Sequence, residues 1–546
     1  PDGVERFEVR DVVLHQQRDA IAGSEAERAQ MAGEASDAVG ELAIAPEQPL
    51  AAQHGGPLGV NARGADEELR EVHRSRSSAQ CRKTAPAAAT APAMEHWNAE
   101  LEAMPWRDVE RWQAERIDAF LPALRSRSRL YARQHAEASL RVRELADLRT
   151  LPFTTKDDLR MAQDAANDAA PFGDNQAVDS TAVVQALSSS GTTGRPLYYA
   201  LTARDVETFA DAIATVWFTA GIRENDVVAH LVGLPMVAGG LPYADGFRRV
   251  GATLCWLGGF PTERILADMR RLRATALLAT TSFALHLAER WDDAGRETAI
   301  ASSLKKVLGG GEPGLHHAEI RARIGHGLGG ADVRETMGLG DVLPSMWGEC
   351  ERHDGMHFCA QRSVAVELVD PESGDAVAWQ EGATGELVYT TFARDATPVV
   401  RYRSRDHALV TGVGCACGRT SPRIRCIGRT DDMLIYKGMN VFPAAVRDVV
   451  AERFAGIVQP FVRIWKEHAG QVRFDDAIAL DVETIAALAD DSARERLARA
   501  IENEVRGRLQ VRVAATIVAP GTLPRGTYKS PLVAVRPAKG ETSDAP

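Results

Sequence analysis

Apolar positions along the chain change their period from region to region. From Met94 to about Thr150 aromatic and apolar residues recur at helical spacing, as in MEHWNAELEAMPWRDVERWQAERIDAFL, and predict helices. LPFTTKDDL (Leu151–Leu159) then supplies a proline turn and Thr155 as an N-cap, with Asp158 in capping-box position. Between Val183 and about Ala331 strand-like and helix-like runs alternate: DVVAHLV, PYADGFRRVG, ATLCWLG, TERILADMRRLRA, TALLAT. That alternation predicts βαβ units and a mainly parallel sheet, an α/β fold whose ligands bind beyond the carboxyl ends of the strands. LKKVLGGGEPG (Leu304–Gly314) reads as one such strand running into a glycine turn. Past Gly355 the runs shorten to HFCAQ, SVAVELVD, GELVYTTF and PVVRYRSRD, predicting an antiparallel or barrel-like subdomain. After Gly428 comes a small α+β unit. Its strands are DMLIY, FVRIW, DAIALDV and RVAATIVA. Its helix, SARERLARAIENEVRGRL, is expected to start on a Ser492/Glu495 capping box and to carry the stripe Leu497, Ile501, Val505.

Residues 1–93 lack this patterning. They hold one of the chain's aromatic residues, Phe7, and are rich in Ala, Gly, Gln, Glu and Arg. Such a segment buries too little surface to offset its ordering entropy, and it is expected to be a disordered or misassigned extension. The expected division is therefore 1–93, a large domain over 94–428, and a small mobile domain over 429–546. At 546 residues several domains are required. A net charge of −11 argues against nucleic-acid and acidic-membrane partners, and no apolar run reaches the length of a membrane span. Seven unevenly spaced cysteines make no disulfide framework and fit a reducing cytoplasm.

Chemistry enters with ALSSSGTTGRPLYYALT (Ala186–Thr202), a polar, glycine-bearing stretch between two β-rich runs. It reads either as a linker or as a tight turn whose backbone amides and hydroxyls hold phosphate. It lacks the lysine and the following helix of the common nucleotide loop. Further stretches join it in order: GGGEP (Gly309–Pro313), ETMGLGD (Glu335–Asp341), RYRSRD (Arg401–Asp406), GRTDDMLIYKGMNVFP (Gly428–Pro443) and LPRGTYKS (Leu523–Ser530). Together they resemble the adenylate-forming superfamily, and within it the phenylacetate–CoA ligase family, over Met94 to about Pro537.

The resemblance implies that a carboxylic acid and ATP give an acyl-adenylate and pyrophosphate, and that a thiol then displaces AMP. Catalysis would be mainly positioning and charge neutralisation. It assigns Ser188, Ser189, Ser190, Gly191, Thr192, Thr193 and Gly194 to the β- and γ-phosphates, with Arg195 where relatives usually carry lysine. Gly311, Glu312 and Pro313 would pass adenine. Met337, in place of a tyrosine, and Gly338 would lie against it. Asp341, in place of a glutamate, would hold Mg²⁺. Asp406 would accept from the ribose hydroxyls. Arg429 would belong to the ATP site at the junction and Asp431 would be the hinge between the half-reactions. Lys529 would be the catalytic lysine bridging carboxylate and α-phosphate. The bland readings are a surface ion pair for Asp406 with Arg403 and a solvated loop lysine for Lys529.

CACG (Cys415–Gly418) reads as a metal knuckle that Cys350 and His357 would complete as a structural Zn²⁺ site, with His353 and Cys359 as rivals for the fourth place. Some members of the family bind zinc at matching points; the alternative is four reduced, partly buried side chains. Cys255 and Cys426 read as core strand residues. The expected substrates are ATP, CoA and an aromatic acid of the phenylacetate type. Trp347, Tyr243 and Phe247 stand either as pocket walls or as core. A homodimer is admitted but not required. Transfer to a carrier protein, a non-catalytic nucleotide binder and a zinc ribbon for nucleic acid are the rival readings; the acidic charge counts against the last. Removing residues 1–93 is expected to leave solubility and turnover unchanged. Loss of either, measured on the shortened chain, would make the segment part of the fold.

Overall fold

Helices cover the first described residues because their apolar side chains share one face. The computed structural model describes residues 95–189, 196–232, 236–295, 303–312, 314–429, 432–437, 439–468, 471–488, 490–523 and 532–536. Helices α1 (Ala99–Glu102), α2 (Trp106–Arg127) and α3 (Arg129–Gln134) open it, and α2 buries Val109, Ile117, Leu121 and Leu124. Helix α4 (Lys156–Asp164) starts on the expected box: Thr155 Oγ accepts from Asp158 N, and Asp158 accepts from Thr155 N at 2.7 Å.

Strands β1 (Val183–Ser188) and β2 (Tyr198–Thr202) form a two-stranded antiparallel sheet, so the polar stretch is a connection between paired strands. Helix α5 (Ala203–Thr219) follows. Then come β3 (Val227–His230), α6 (Leu241–Val250), β4 (Thr253–Trp256), α7 (Thr262–Arg271), β5 (Ala276–Ala279), α8 (Thr281–Gly295), β6 (Lys306–Gly310), α9 (Ala318–Gly327) and β7 (Asp332–Leu339). Strands β3 to β7 pair in parallel, as the alternation predicts. Strands β8 (Leu343–Glu349), β9 (Met356–Phe358), β10 (Val364–Val369), β11 (Thr384–Thr391), β12 (Tyr402–Val413) and β13 (Pro422–Arg429) are antiparallel. Their ladder is continuous with the parallel strands in one eleven-stranded sheet, ordered β10-β11-β12-β13-β9-β8-β7-β6-β5-β3-β4. Bulges in β7, β11, β12 and β13 bend the antiparallel part.

The remainder comprises β14 (Leu434–Tyr436), β15 (Met439–Val441), α10 (Pro443–Arg453), β16 (Val458–Lys466), β17 (Arg473–Phe474), β18 (Ile478–Thr484), α11 (Asp491–Leu509), β19 (Val513–Val518) and β20 (Val533–Val535). It has its own buried cluster, including Leu434, Val446, Ile464, Leu480, Ile501 and Val505. The stripe on α11 is as expected, but its cap is not Ser492. Asp490 accepts from Ala493 N at 2.7 Å, which puts Ser492 inside the first turn. Among the described residues no helix is long and apolar enough to cross a membrane.

Asp205 ties the large sheet to its neighbours. The carboxylate is fully buried and closes a capping box with Thr202 at the start of α5. It also accepts from the backbone N–H groups of Asp395 at 2.6 Å and Ala396 at 3.0 Å. Asp205→Ala strands three buried donors. It is expected to lower the unfolding temperature of the large domain, a loss of roughly 3 kcal/mol or more at about 1–3 kcal/mol per orphaned group. Asp205→Asn should recover part of that loss in the same thermal melt.

Candidate active site

The carboxyl ends of β6 and β7 lie side by side, with Gly309 opposite Glu335 and Gly310 opposite Thr336. A side chain at Gly310 would put its Cβ 2.7 Å from the carbonyl oxygen of Thr336, so only glycine allows this approach. Gly311 turns the chain at φ +78°. Glu312 accepts from Ser282 N at 2.9 Å, and its carbonyl accepts from Thr281 Oγ1, so the loop is anchored on the N-terminus of α8.

Met337 and Gly338 sit in β7, next to the bulge. A Cβ on Gly338 would fall 2.1 Å from Pro344 O. Just beyond, Asp341 is 2 % exposed. Its Oδ2 accepts from Tyr402 Oη at 2.6 Å and lies 3.4 Å from Lys156 Nζ. Burial, and then the negative Asp341 beside it, hold the Tyr402 hydroxyl well above its ordinary pKa, so it remains a proton donor. Arg394 fixes the backbone here, donating to the carbonyls of Asp341 at 2.9 Å and Val342 at 3.2 Å. Burial pulls the Arg394 pKa down to about 10 against the opposing charges of Asp205 and Asp341, leaving it charged at neutral pH. Lys156, Arg394 and Tyr402 were not singled out as site residues by sequence reasoning. Lys156 and Tyr402 lie in quoted stretches and Arg394 just past one, but their meeting spans up to 246 positions, beyond any local period.

The motif segments converge. Ser188 N donates to Met236 O at 2.7 Å, and Ser188 bridges to Val237. The next residue, Ala238, abuts Gly340, one position before Asp341. Ser189 closes the β1–β2 connection, its N–H donating to Leu197 O and its Oγ accepting from Leu197 N. Asp406 and Arg429 stand opposite one another in β12 and β13, with Arg429 Nη1 donating to Asp406 Oδ1 at 2.7 Å. The alternative pairing of Asp406 with Arg403 is not formed. Arg403 instead binds the buried Glu386 at 2.5 Å. Ser190, Gly191, Thr192, Thr193, Gly194, Arg195, Pro313, Asp431 and Lys529 lie outside the described residues. Trp347 and Phe247 are fully buried core, Trp347 bonded to Tyr389 Oη and Phe247 stacked on Trp217. Tyr243 is half-buried and donates to Pro344 O at 2.8 Å.

A second cluster lies among the antiparallel strands. Donor atoms of Cys350, His357, Cys415 and Cys417 all fall within 4.8 Å of one another. Cys350 Sγ is 4.0 Å from Cys415 Sγ, and Cys417 Sγ is 3.4 Å from His357 Nε2. Tetrahedral zinc with ordinary bond lengths separates such donors by about 3.4–3.8 Å, so the set fits. The rivals are engaged elsewhere, His353 with Asp332 at 2.9 Å and Cys359 with Thr219.

Comparison with known proteins bears on the family. The AMP-binding enzyme family matches residues 109–391, and the AMP-binding enzyme C-terminal domain matches residues 438–534. A phenylacetate–coenzyme A ligase of Thermus thermophilus is 32% identical over 456 residues, covering 78% of this chain and 96% of the relative. Crystal structures of a 2-hydroxyisobutyryl-CoA ligase are 26% identical, covering 82% of this chain and 94% of theirs. The TM-score is 0.73 for the postadenylation state with 2-HIB-AMP and 0.58 for the thioesterification state with 2-HIB-AMP and CoA. Matched in both its large and small parts, and spanning nearly the whole length of that relative, the chain belongs to the phenylacetate–CoA ligase family of the AMP-binding enzymes.

Proposed function

We propose that this chain activates an aromatic acid of the phenylacetate type with ATP and passes the acyl group to CoA. The observation that carries the reading is the convergence on Asp341. The β6–β7 strand ends, the end of β1 and the β12–β13 pair meet around one buried, oriented carboxylate. The aromatic substrate follows from the relative's name.

The chemistry needs a leaving group better than hydroxide and a place for the charge that develops on phosphorus. Residues 188–194 would cradle the β- and γ-phosphates with backbone amides and hydroxyls. Gly309 to Pro313 would give adenine a flat approach, with Met337 and Gly338 beside it. Asp406, held by Arg429, would accept from the ribose hydroxyls. Among the described residues both contacts to Asp341 fall on Oδ2, which leaves Oδ1 suited to Mg²⁺, the ion that would neutralise phosphate charge there. Tyr402 and Lys156 keep that carboxylate oriented. Lys529 would bridge the acid and the α-phosphate in the adenylation transition state. Division into a large domain over 94–428 and a small domain over 429–546 is part of the proposal, with Asp431 as pivot. The better overlay on the postadenylation form supports reading the present arrangement as the one adopted on the adenylation side.

Acid-dependent AMP formation by purified protein, with and without CoA, tests the reading. Turnover that needs a carrier protein instead of CoA moves the acceptor, and pyrophosphate release with no acid in a panel of aryl acids rejects the activity. Lys529→Ala is expected to cut acyl-adenylate formation by a factor on the order of 10² or more, yet still convert a supplied acyl-adenylate to thioester. Asp431→Pro should do the reverse, by restricting the pivot's torsions. Equal loss of both half-reactions in a folded Lys529→Ala protein names the wrong lysine.

The Cys350–His357–Cys415–Cys417 cluster is proposed to hold a structural zinc. Purified protein should carry that metal, and Cys415→Ser should release it and lower the unfolding temperature, since binding adds to folding free energy. Elemental analysis showing a metal-free protein of full stability would refute it.

A further inference from the structure

His316 and His317 follow directly on the Gly309–Glu312 turn, and the reading above gives them no task. Both face Asp448 on α10, in the small domain. His316 Nε2 lies 3.5 Å and His317 Nε2 2.7 Å from the same oxygen, Asp448 Oδ2. The rings are 4.0 Å apart between centroids. His317 Nε2 is buried without an aligned hydrogen bond despite that short distance, and His316 Nδ1 is buried without one as well. One imidazole nitrogen from each histidine and one carboxylate oxygen therefore lie within 4.8 Å of one another, and His317 Nε2 has no aligned hydrogen bond there.

The surroundings prepare this set. Arg447 donates to the other carboxylate oxygen, Asp448 Oδ1, from Nε at 2.8 Å and Nη2 at 2.5 Å. That leaves Oδ2 to the histidines and fixes the carboxylate plane, as outer partners of metal ligands do. Two histidines and one carboxylate are a common zinc set with an open fourth position for water. The Arg447 charge beside it makes this a weaker site than the thiolate cluster.

We propose that His316, His317 and Asp448 bind a divalent transition-metal ion, zinc foremost, and that the bound ion staples the small domain to the large one. Two ligands come from the large domain and one from the small, so the metal selects the orientation in which they meet. A small domain held there completes adenylation but cannot turn to present CoA, so the ion acts as an inhibitor of the second half-reaction. That consequence rests on the function proposed above; the binding itself does not.

Zinc binding by the full-length chain, followed by calorimetry and elemental analysis, tests the site. One equivalent should depend on His317 and Asp448 and survive Cys415→Ser. His317→Ala and Asp448→Asn should each lose it, with circular dichroism verifying the fold; His316→Gln serves where either fails to fold. In single-turnover assays zinc should slow transfer of a supplied acyl-adenylate to CoA at least tenfold in the parent chain, and leave acyl-adenylate formation within twofold. The His317→Ala protein, assayed at the same zinc concentration, accounts for any zinc taken up by the CoA thiol. Zinc stoichiometry unchanged by these substitutions reduces the cluster to an ordinary ion pair and overturns the site. A His317-dependent zinc that leaves the CoA step untouched overturns the staple. Absence of any acid-dependent AMP formation would count against the proposed activity, while the stoichiometry would still decide the site.

Discussion

The guanidinium of Arg394 is among the largest side chains buried completely, and the site is organised by the need to satisfy it. A buried cation is costly unless hydrogen bonds and opposite charge surround it. Arg394 donates to the carbonyls of Asp341 and Val342 and to Thr397 Oγ1, with the Asp205 and Asp341 carboxylates nearby. Satisfying the cation therefore fixes the backbone of the very residue whose carboxylate sits at the sheet edge. Asp205 completes the loop by binding the two residues that follow Arg394. One electrostatic requirement thus joins α5, the segment after β11 and the strand end that bears Asp341.

Much of this was legible in the chain. The parallel strands follow from alternation of apolar runs. The Thr155 cap follows from a hydroxyl and a carboxylate three apart, and the β1–β2 pair from β-rich runs flanking a glycine stretch. What was not legible is contact between distant segments. Lys156, in the first turn of α4, reaches Asp341 across the fold, and Tyr402 at the start of β12 meets it in the turn between β7 and β8. The cap of α11 was misplaced because Asp490, Asp491 and Ser492 all suit that role, and only the backbone torsions choose Asp490. The cluster near Cys415 was named from the sequence with Cys350 and His357 as its other members and His353 and Cys359 as rivals; the antiparallel pairing of β9 with β13 is what brings His357 to it.

The geometry also separates tasks. Chemistry gathers at the carboxyl edge of the parallel strands, where chain ends converge and backbone groups are free to meet a ligand. The thiolate cluster lies in loops of the antiparallel part, where a metal would serve packing. The histidine–aspartate cluster lies at the seam between the two sequence-matched parts, where the same kind of ligand chemistry would govern motion.

The separate apolar cluster formed beyond residue 433 has a calorimetric consequence. The buried residues of that cluster come only from positions beyond 433, with Phe461 also reaching the core around the parallel strands. Heating should then melt the chain in two cooperative steps, and a single free energy of unfolding would not describe it. A nucleotide bound mainly by the large domain would raise one step and leave the other in place, whereas a ligand gripping both would draw the two together. The separation between the steps becomes a gauge of how firmly the halves are coupled in each ligand state.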